Sequence, residues 1–313
     1  MSSQSFRNRS TGIFLVLVST LGFSAKSIFA KLAYNLGCDA LTLVFWRMLL
    51  SLPFFLLAIL WSQQDRQQPT LHRQDWLQIG LLGIAGYYLS SILDFEGLMF
   101  ISASLERLTL FLYPTLVLLL DWIFHHRPLQ RRSLYALLLS YLGISLVVTH
   151  DLWHSHGSPT ILVGTLLVLL SSLSYACYLL GSQPLIRRLG STRFTGLTLS
   201  VASITVVVHG LAQQGIPILH LRMPVFELAV ATSLISTVMP VFLLTAGIAR
   251  IGSPEAALIG SAGPVATLIL GLGFLHENIT GLQFLGALLV ITGVLFSSTR
   301  QNAEVTASTT DAL

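Results

Sequence analysis

Charge is what this chain lacks. Only 10% of its 313 residues are Asp, Glu, Lys or Arg, against about 25% in a soluble domain. A soluble core of this length needs charged helix faces, and none is present. Instead 53% of the residues are hydrophobic, and apolar windows of about 20 residues recur throughout, each enough to cross a hydrocarbon layer of about 30 Å. Cysteine is scarce as well: Cys38 and Cys177 are the two, too few for a disulfide framework. No nucleophile elbow, phosphate loop or metalloprotease motif occurs, so no enzyme and no cofactor are expected. The formal net charge of +4 is too small to argue for nucleic acid. The first apolar run has no small-residue cleavage site and continues into Lys26 and Lys31, which reads as a retained helix rather than a signal peptide.

What is there is a succession of ten apolar spans, at about 12–33, 40–61, 76–99, 102–123, 131–150, 159–181, 194–214, 225–248, 254–275 and 280–298. Trp61, Trp76, Trp122 and Trp153 fall at span ends, as an interfacial aromatic belt would place them. Arg7, Arg9, Arg66, Arg73, Arg127, Arg131, Arg132, Arg187, Arg188, Arg193, Arg250 and Arg300 all lie on one side of this topology, and Arg222 and Lys31 on the other. By the positive-inside rule both termini are cytoplasmic in a plasma membrane, the inner membrane of a bacterium. The expected organisation is an N-terminal cytoplasmic tail (1–11), a five-helix unit (12–150), an external loop (151–158), a second five-helix unit (159–298) and a disordered cytoplasmic tail (299–313).

The second unit restates the first. At an offset of 150, Gly97 meets Gly247, Pro114 meets Pro264 and Gly143 meets Gly293. Near 152, Gly12, Ser19 and Phe23 meet Gly164, Ser171 and Tyr175. Five spans is an odd number, so the copies enter the membrane from opposite sides. The fold class is therefore an all-α membrane protein with a 5+5 inverted-topology repeat around a central cavity, a symmetry found mainly in secondary transporters.

KLAY (Lys31–Tyr34) followed by Arg47, the turn-helix-proline blocks ending at Pro114 and Pro264, and LHENITGLQFLGALLVITGVLF (Leu275–Phe296) resemble EamA domains. Over about residues 10–298 the chain is similar to ten-helix members of the drug/metabolite transporter superfamily. Arg127 departs from the pattern, standing where the second copy has Glu277. The resemblance implies gradient-driven passage of a small metabolite, usually outward, by alternating access. It places Arg47 off the central cavity.

Ionisable groups inside apolar spans are costly and usually meet a partner or a wet cavity. Helix rise places Lys26 about 20 Å above the cytoplasmic start of its span, in an outer layer with Arg47, Asp94, Glu96, Glu106 and Arg107. Lys26, Asp94 and Glu106 are the candidate substrate or proton groups, with Tyr87, Tyr113, Tyr175 and Tyr178 as candidate cavity aromatics; Tyr88 also lies within a span. The second copy holds Tyr178, Leu244 and Ala256 where the first holds Lys26, Asp94 and Glu106, so the charge layer is not a general requirement of the fold. Adjacent residues on a helix diverge by about 100°; Glu106 is therefore assigned to the cavity, and Arg107, like Arg47, to structure. Pro114, Pro240 and Pro264 are candidates for kinks or gating, and equally for bends that only fit the bundle. HDLWHSH (His150–His156) is read as a solvated loop, and no metal site is expected.

The reading that results is a carrier of an amino acid or related zwitterion or organic acid, exporting it. Its partners are that small molecule, the lipid bilayer and a proton or other coupling ion, and it acts as a monomer or weak homodimer. The alternatives are a drug or cationic-amine efflux carrier using the acids alone and, more remotely, a lipid-acting intramembrane enzyme.

Overall fold

The computed structural model describes residues 3–62, 69–126, 131–154, 159–260, 262–277 and 280–293, which are helical with short connections and contain no strand. In chain order the helices are α1 (Ser3–Asn35), α2 (Ala40–Ser62), α3 (Arg73–Leu98), α4 (Ala103–Phe124) and α5 (Arg131–His154). There follow α6 (Pro159–Leu189), α7 (Ser191–Gln214), α8 (Met223–Gly252), α9 (Gly263–Leu275) and α10 (Gly281–Gly293). Seven of these, α1 to α4 and α6 to α8, are long and apolar enough to cross a membrane. The fifth, ninth and tenth expected spans correspond to shorter apolar stretches, Leu137–Trp153, Gly263–Leu275 and Gly281–Gly293. Helical backbone begins at Ser3 rather than near residue 12, because 3–11 contains neither proline nor glycine to stop it. The expected tail 299–313 and residues 155–158 of the external loop lie outside the described residues.

Apolar side chains point outward as well as inward. Phe14, Leu57, Leu77 and Phe274 are each at least 60% exposed, the surface a protein presents to hydrocarbon rather than water. Trp61 and Trp153 are the most open of the expected belt residues, at 75% and 83%.

Without a hydrophobic drive between helices in lipid, small residues set the closest crossings. Gly97 of α3 faces Gly164 of α6: a Cβ on either would come within 2.9 Å of the other's carbonyl oxygen. Gly247 of α8 faces Gly12 of α1 in the same way, with 3.2 Å from its would-be Cβ to the Gly12 oxygen. The two crossings correspond in the sequence register, which matches Gly97 with Gly247 and Gly164 with Gly12. The hydrogen bonds repeat too: Ser19 donates to the Pro240 carbonyl at 2.8 Å, and Ser171 to the Ser90 carbonyl at 2.7 Å.

Interruptions recur at the same spacing. A π-helical turn occupies Ile84–Leu89 of α3 and another Leu234–Val238 of α8. Such turns shift side-chain register by one residue and often mark functional sites. The α-helical ladder of α4 stops at Phe111 and Leu112 and resumes at Tyr113. The helical stretch beyond the Gly252 bend ends at Gly260, and α9 begins at Gly263. Pro114 and Pro264 sit in the first turn of the resumed segments, where a missing N–H costs no helical bond. Pro240 follows the α8 π-turn with one residue, Met239, between.

Candidate functional site

Three helices bring the first group together. Glu106 lies in the first turn of α4, where the positive end of the helix dipole favours an acid. That turn is capped by Ser102, whose Oγ accepts from the Leu105 N–H at 3.1 Å. Lys26 of α1 donates from Nζ to Glu106 Oε1 at 2.9 Å and to Asp94 Oδ2 of α3. Ser27, next on α1, donates to Glu106 Oε2. The network is sealed: Lys26 is 8% exposed, Asp94 4% and Glu106 0%. Its stoichiometry is uneven, with two carboxylates sharing one ammonium. Asp94 Oδ1 is buried with no hydrogen-bond partner among the described residues.

Arg47 of α2 backs this network without entering it. Its Nη2 donates to Ser91 Oγ at 2.8 Å, and its guanidinium lies 4.8 Å from the centre of the Phe95 ring, which Lys26 also approaches at 5.6 Å. Toward the end of the bundle, Glu277 reaches across from the segment after α9. It accepts from the Ala103 N–H at 2.9 Å and from Ser104 Oγ at 2.7 Å. It satisfies backbone donors that open a helix of the other half, and Lys31 is within electrostatic reach of both Glu277 and Glu106. The sequence marks Glu277 only as the acidic turn of LHENITG; the signal was there, but its backbone partners were not legible.

The four tyrosines form a second group. Tyr87 of α3 meets Tyr178 of α6 edge-on at 5.0 Å between ring centres, and Tyr113 of α4 meets Tyr175 of α6 at 5.3 Å. Tyr175 and Tyr178 stack at 5.6 Å, and Phe194 of α7 continues the stack beyond Tyr178 at 6.0 Å. Gly86, in the α3 π-turn, gives Tyr178 its room, since any Cβ there would collide with the ring. Tyr88 belongs elsewhere, against His209 at 3.3 Å.

Glu106 and Arg107 diverge as adjacent helical residues must. Glu106 turns to α1 and Arg107 to α9, where its Nη2 lies 2.9 Å from the position a Cβ on Gly263 would take. Its charge acts on Tyr113 and Tyr175. α1 also bonds carbonyls beside these prolines: Ser24 donates to the Gly263 oxygen at 3.0 Å, as Ser19 does to the Pro240 oxygen at 2.8 Å. In HDLWHSH, His150 lies 3.2 Å from Asp151, which also accepts from Gln283 at 3.0 Å; the side chains of His154 and His156 lie outside those described.

Long apolar helices, a lipid-facing apolar exterior and a buried charge network define a multi-pass helical membrane protein. The profile of the EamA-like transporter family matches residues 10–149 and again 162–299, and the chain belongs to that family. It is 29% identical to the uncharacterized transporter YcbK of Bacillus subtilis, over 92% of this chain and 94% of that protein. It is 21% identical to an uncharacterized transporter of Archaeoglobus fulgidus, over 93% and 98% of the two chains. A crystal structure superposes with a TM-score of 0.62 over 92% of this chain and 96% of its own, at 16% identity, a likeness of fold alone. Family membership supports a membrane transporter rather than an enzyme.

Proposed function

We propose that this protein is a secondary carrier that exports a small metabolite, an amino acid or related zwitterion or organic acid, by alternating access. In this reading the chain crosses the membrane ten times, both termini lie in the cytoplasm of a bacterial cell, and the halves 12–150 and 159–298 are inverted copies. The paired glycine crossings, paired π-turns and paired interruptions, at sequence offsets of 150 and 152, support that symmetry. Rocking one half against the other then opens a midplane cavity to alternate sides.

The observation that carries the proposal is the Lys26–Asp94–Glu106 network. It ties α1, α3 and α4 within one half, while the other half has Tyr178, Leu244 and Ala256 at the matching positions. With Glu277 it closes one end of the bundle, the outer end in the proposed orientation. Two carboxylates around one ammonium leave a single negative charge, which one proton would neutralise. That excess is the coupling site: protonation of a carboxylate loosens the tie and lets the outer end open. The same excess, with Asp94 Oδ1 unpartnered, favours a second reading in which a cationic amine is the cargo.

The test needs no prior substrate. The purified protein is screened for thermal stabilisation by amino acids, organic acids and amines, and stabilising compounds are then followed as radiolabel in proteoliposomes with and without a proton gradient. Accumulation that collapses with the gradient and is absent in Glu106→Gln supports the carrier. Equal flux in protein-free liposomes overturns it, and selective uptake of amines favours the second reading.

A further inference from the structure

Arg107 is the one cation of the charge layer with neither an ion pair nor a hydrogen bond among the described residues. Lys26 has two carboxylates and Arg47 has Ser91 and the Phe95 face. The Arg107 Nε is buried and unpartnered, although a charge at this depth in a membrane ordinarily finds a partner. Its surroundings are chemically specific. The guanidinium packs against Gly263 at the start of α9, where a Cβ would stand only 2.9 Å from Nη2 and crowd it. Tyr113 and Tyr175, on α4 and α6, are the aromatic groups its charge reaches. The neighbouring carboxylate, Glu106, spends both oxygens on Lys26 and Ser27. The register-matched residue in the other half is Ala257, so the cation is single, as a site for one ligand requires. It lies between segments of the two halves, where carriers of this symmetry hold their cargo.

We propose that Arg107 is the carboxylate anchor of the substrate site, a planar donor fork that holds the anionic group of a small organic solute where α4 meets α9, with Tyr113 and Tyr175 toward its apolar part. This rests on the carrier reading and narrows it: the cargo is a carboxylate, and the Lys26 network is left to gating and the proton. Guanidinium presents paired N–H donors matched to a carboxylate, which an ammonium at this position would not.

The probes are benzoate, phenylacetate and L-phenylalanine, each against the matching species without the anion: benzamide, phenylacetamide and phenethylamine. Binding is read as thermal stabilisation of purified full-length protein. At least one carboxylate should stabilise wild type while its uncharged or decarboxylated partner does not. Arg107→Gln should weaken that binding about ten- to a hundredfold, the size of a lost charge-assisted hydrogen bond, and Arg107→Lys should recover part of it. Gly263→Ala, which crowds the guanidinium from the other side, should weaken it too. The unliganded Arg107→Gln protein should melt close to the wild-type temperature, because the guanidinium gives up no hydrogen bond or ion pair among the described residues and only a charge interaction with Glu106; a structural arginine would instead lower it. Carboxylate binding unchanged in Arg107→Gln, amines and amides binding as tightly as carboxylates, or no carboxylate binding to wild type would each overturn the proposal. The carrier reading fails separately: carboxylate binding that depends on Arg107, with no flux in proteoliposomes, refutes transport and leaves the anchor standing.

Discussion

Replacing Lys26 with methionine removes the one cation among the described residues that touches Asp94 and Glu106, and the arithmetic of the network sets the cost. Two fully buried carboxylates are left facing each other, and breaking a buried pair by deleting one partner costs about 3–5 kcal/mol. Glu106→Gln is different. It leaves Lys26 paired one-to-one with Asp94, and the glutamine amide oxygen still accepts from Ser27; the loss is that of a charge-assisted hydrogen bond, about 1.5–3 kcal/mol. The triple variant Lys26→Met, Asp94→Asn, Glu106→Gln removes the uncompensated charge altogether, and neutral replacement of a whole buried ionic cluster is often nearly neutral for stability. The expected order of melting temperature is therefore wild type near the triple variant, then Glu106→Gln, then Lys26→Met well below. Gradient-driven transport should be absent from all three variants. Thermal melts of the purified proteins, paired with proteoliposome flux, separate the two roles of the network. A Lys26→Met protein that melts with wild type, or a triple variant no more stable than Lys26→Met, would refute the charge argument; transport by the triple variant would refute the coupling role.

Other consequences are local. Gly164→Leu forces α6 off α3, since even a Cβ there meets the Gly97 oxygen at 2.9 Å; overpacking of this kind costs about 1–3 kcal/mol, seen as a lower melting temperature, and Gly80→Ala, with nothing within 4 Å of its would-be Cβ, should be silent. Asp39, between α1 and α2, has its carboxyl pushed up by burial but held below its ordinary value overall by hydrogen bonds from Thr42 and Gln214. A depressed folded value stabilises above the unfolded value of about 3.9, so the Asp39 contribution should be constant near neutrality and fade as pH falls through its folded value; pH-dependent melts of wild type against Asp39→Asn read this directly. Burial and the neighbouring Asp39 carboxylate push the Cys38 thiol up to about 12, and since the thiolate is the nucleophile, Cys38 should resist a maleimide at pH 7 until the protein is denatured, as mass spectrometry of the labelled peptides would show.

The repeat and the charge layer were legible in the sequence because membranes make both conspicuous. A carboxylate in a span has few tolerable explanations, so Lys26, Asp94 and Glu106 could be grouped before any coordinates, and the structure brings them into contact. The tyrosines were grouped by depth alone, and Tyr88, at the same depth, parts from the rest to meet His209. The π-turns were invisible: periodicity assumes 3.6 residues per turn, and an extra residue in Ile84–Leu89 rotates everything after it relative to everything before. On an unbroken helix Tyr87 would share a face with Ser91 and Asp94; with the π-turn it does not. Tyr87 turns to α6, Ser91 serves Arg47 and Asp94 meets Lys26.

Breaks in the helical ladder fall at related places in the two halves. The ladder of α4 breaks at Phe111 and Leu112, while the helical stretch after the Gly252 bend ends at Gly260 and α9 begins at Gly263. Interrupted helices are tolerated at membrane depth only where protein or a wet cavity satisfies the loosened backbone. Here neighbouring serines do part of that work: Ser24 bonds the Gly263 oxygen at 3.0 Å, and Ser172 bonds the Thr109 and Leu110 oxygens at 3.1 and 3.2 Å. The two interruptions thus sit at matched positions, each buttressed by a helix of the opposite half, α1 on α9 and α6 on α4. Arg107 rises from the segment just before one of them and ends against the residue that follows the other. In the proposed carrier, where one half rocks against the other, the surroundings of Arg107, a cation set aside as structural on sequence grounds, would change with that motion.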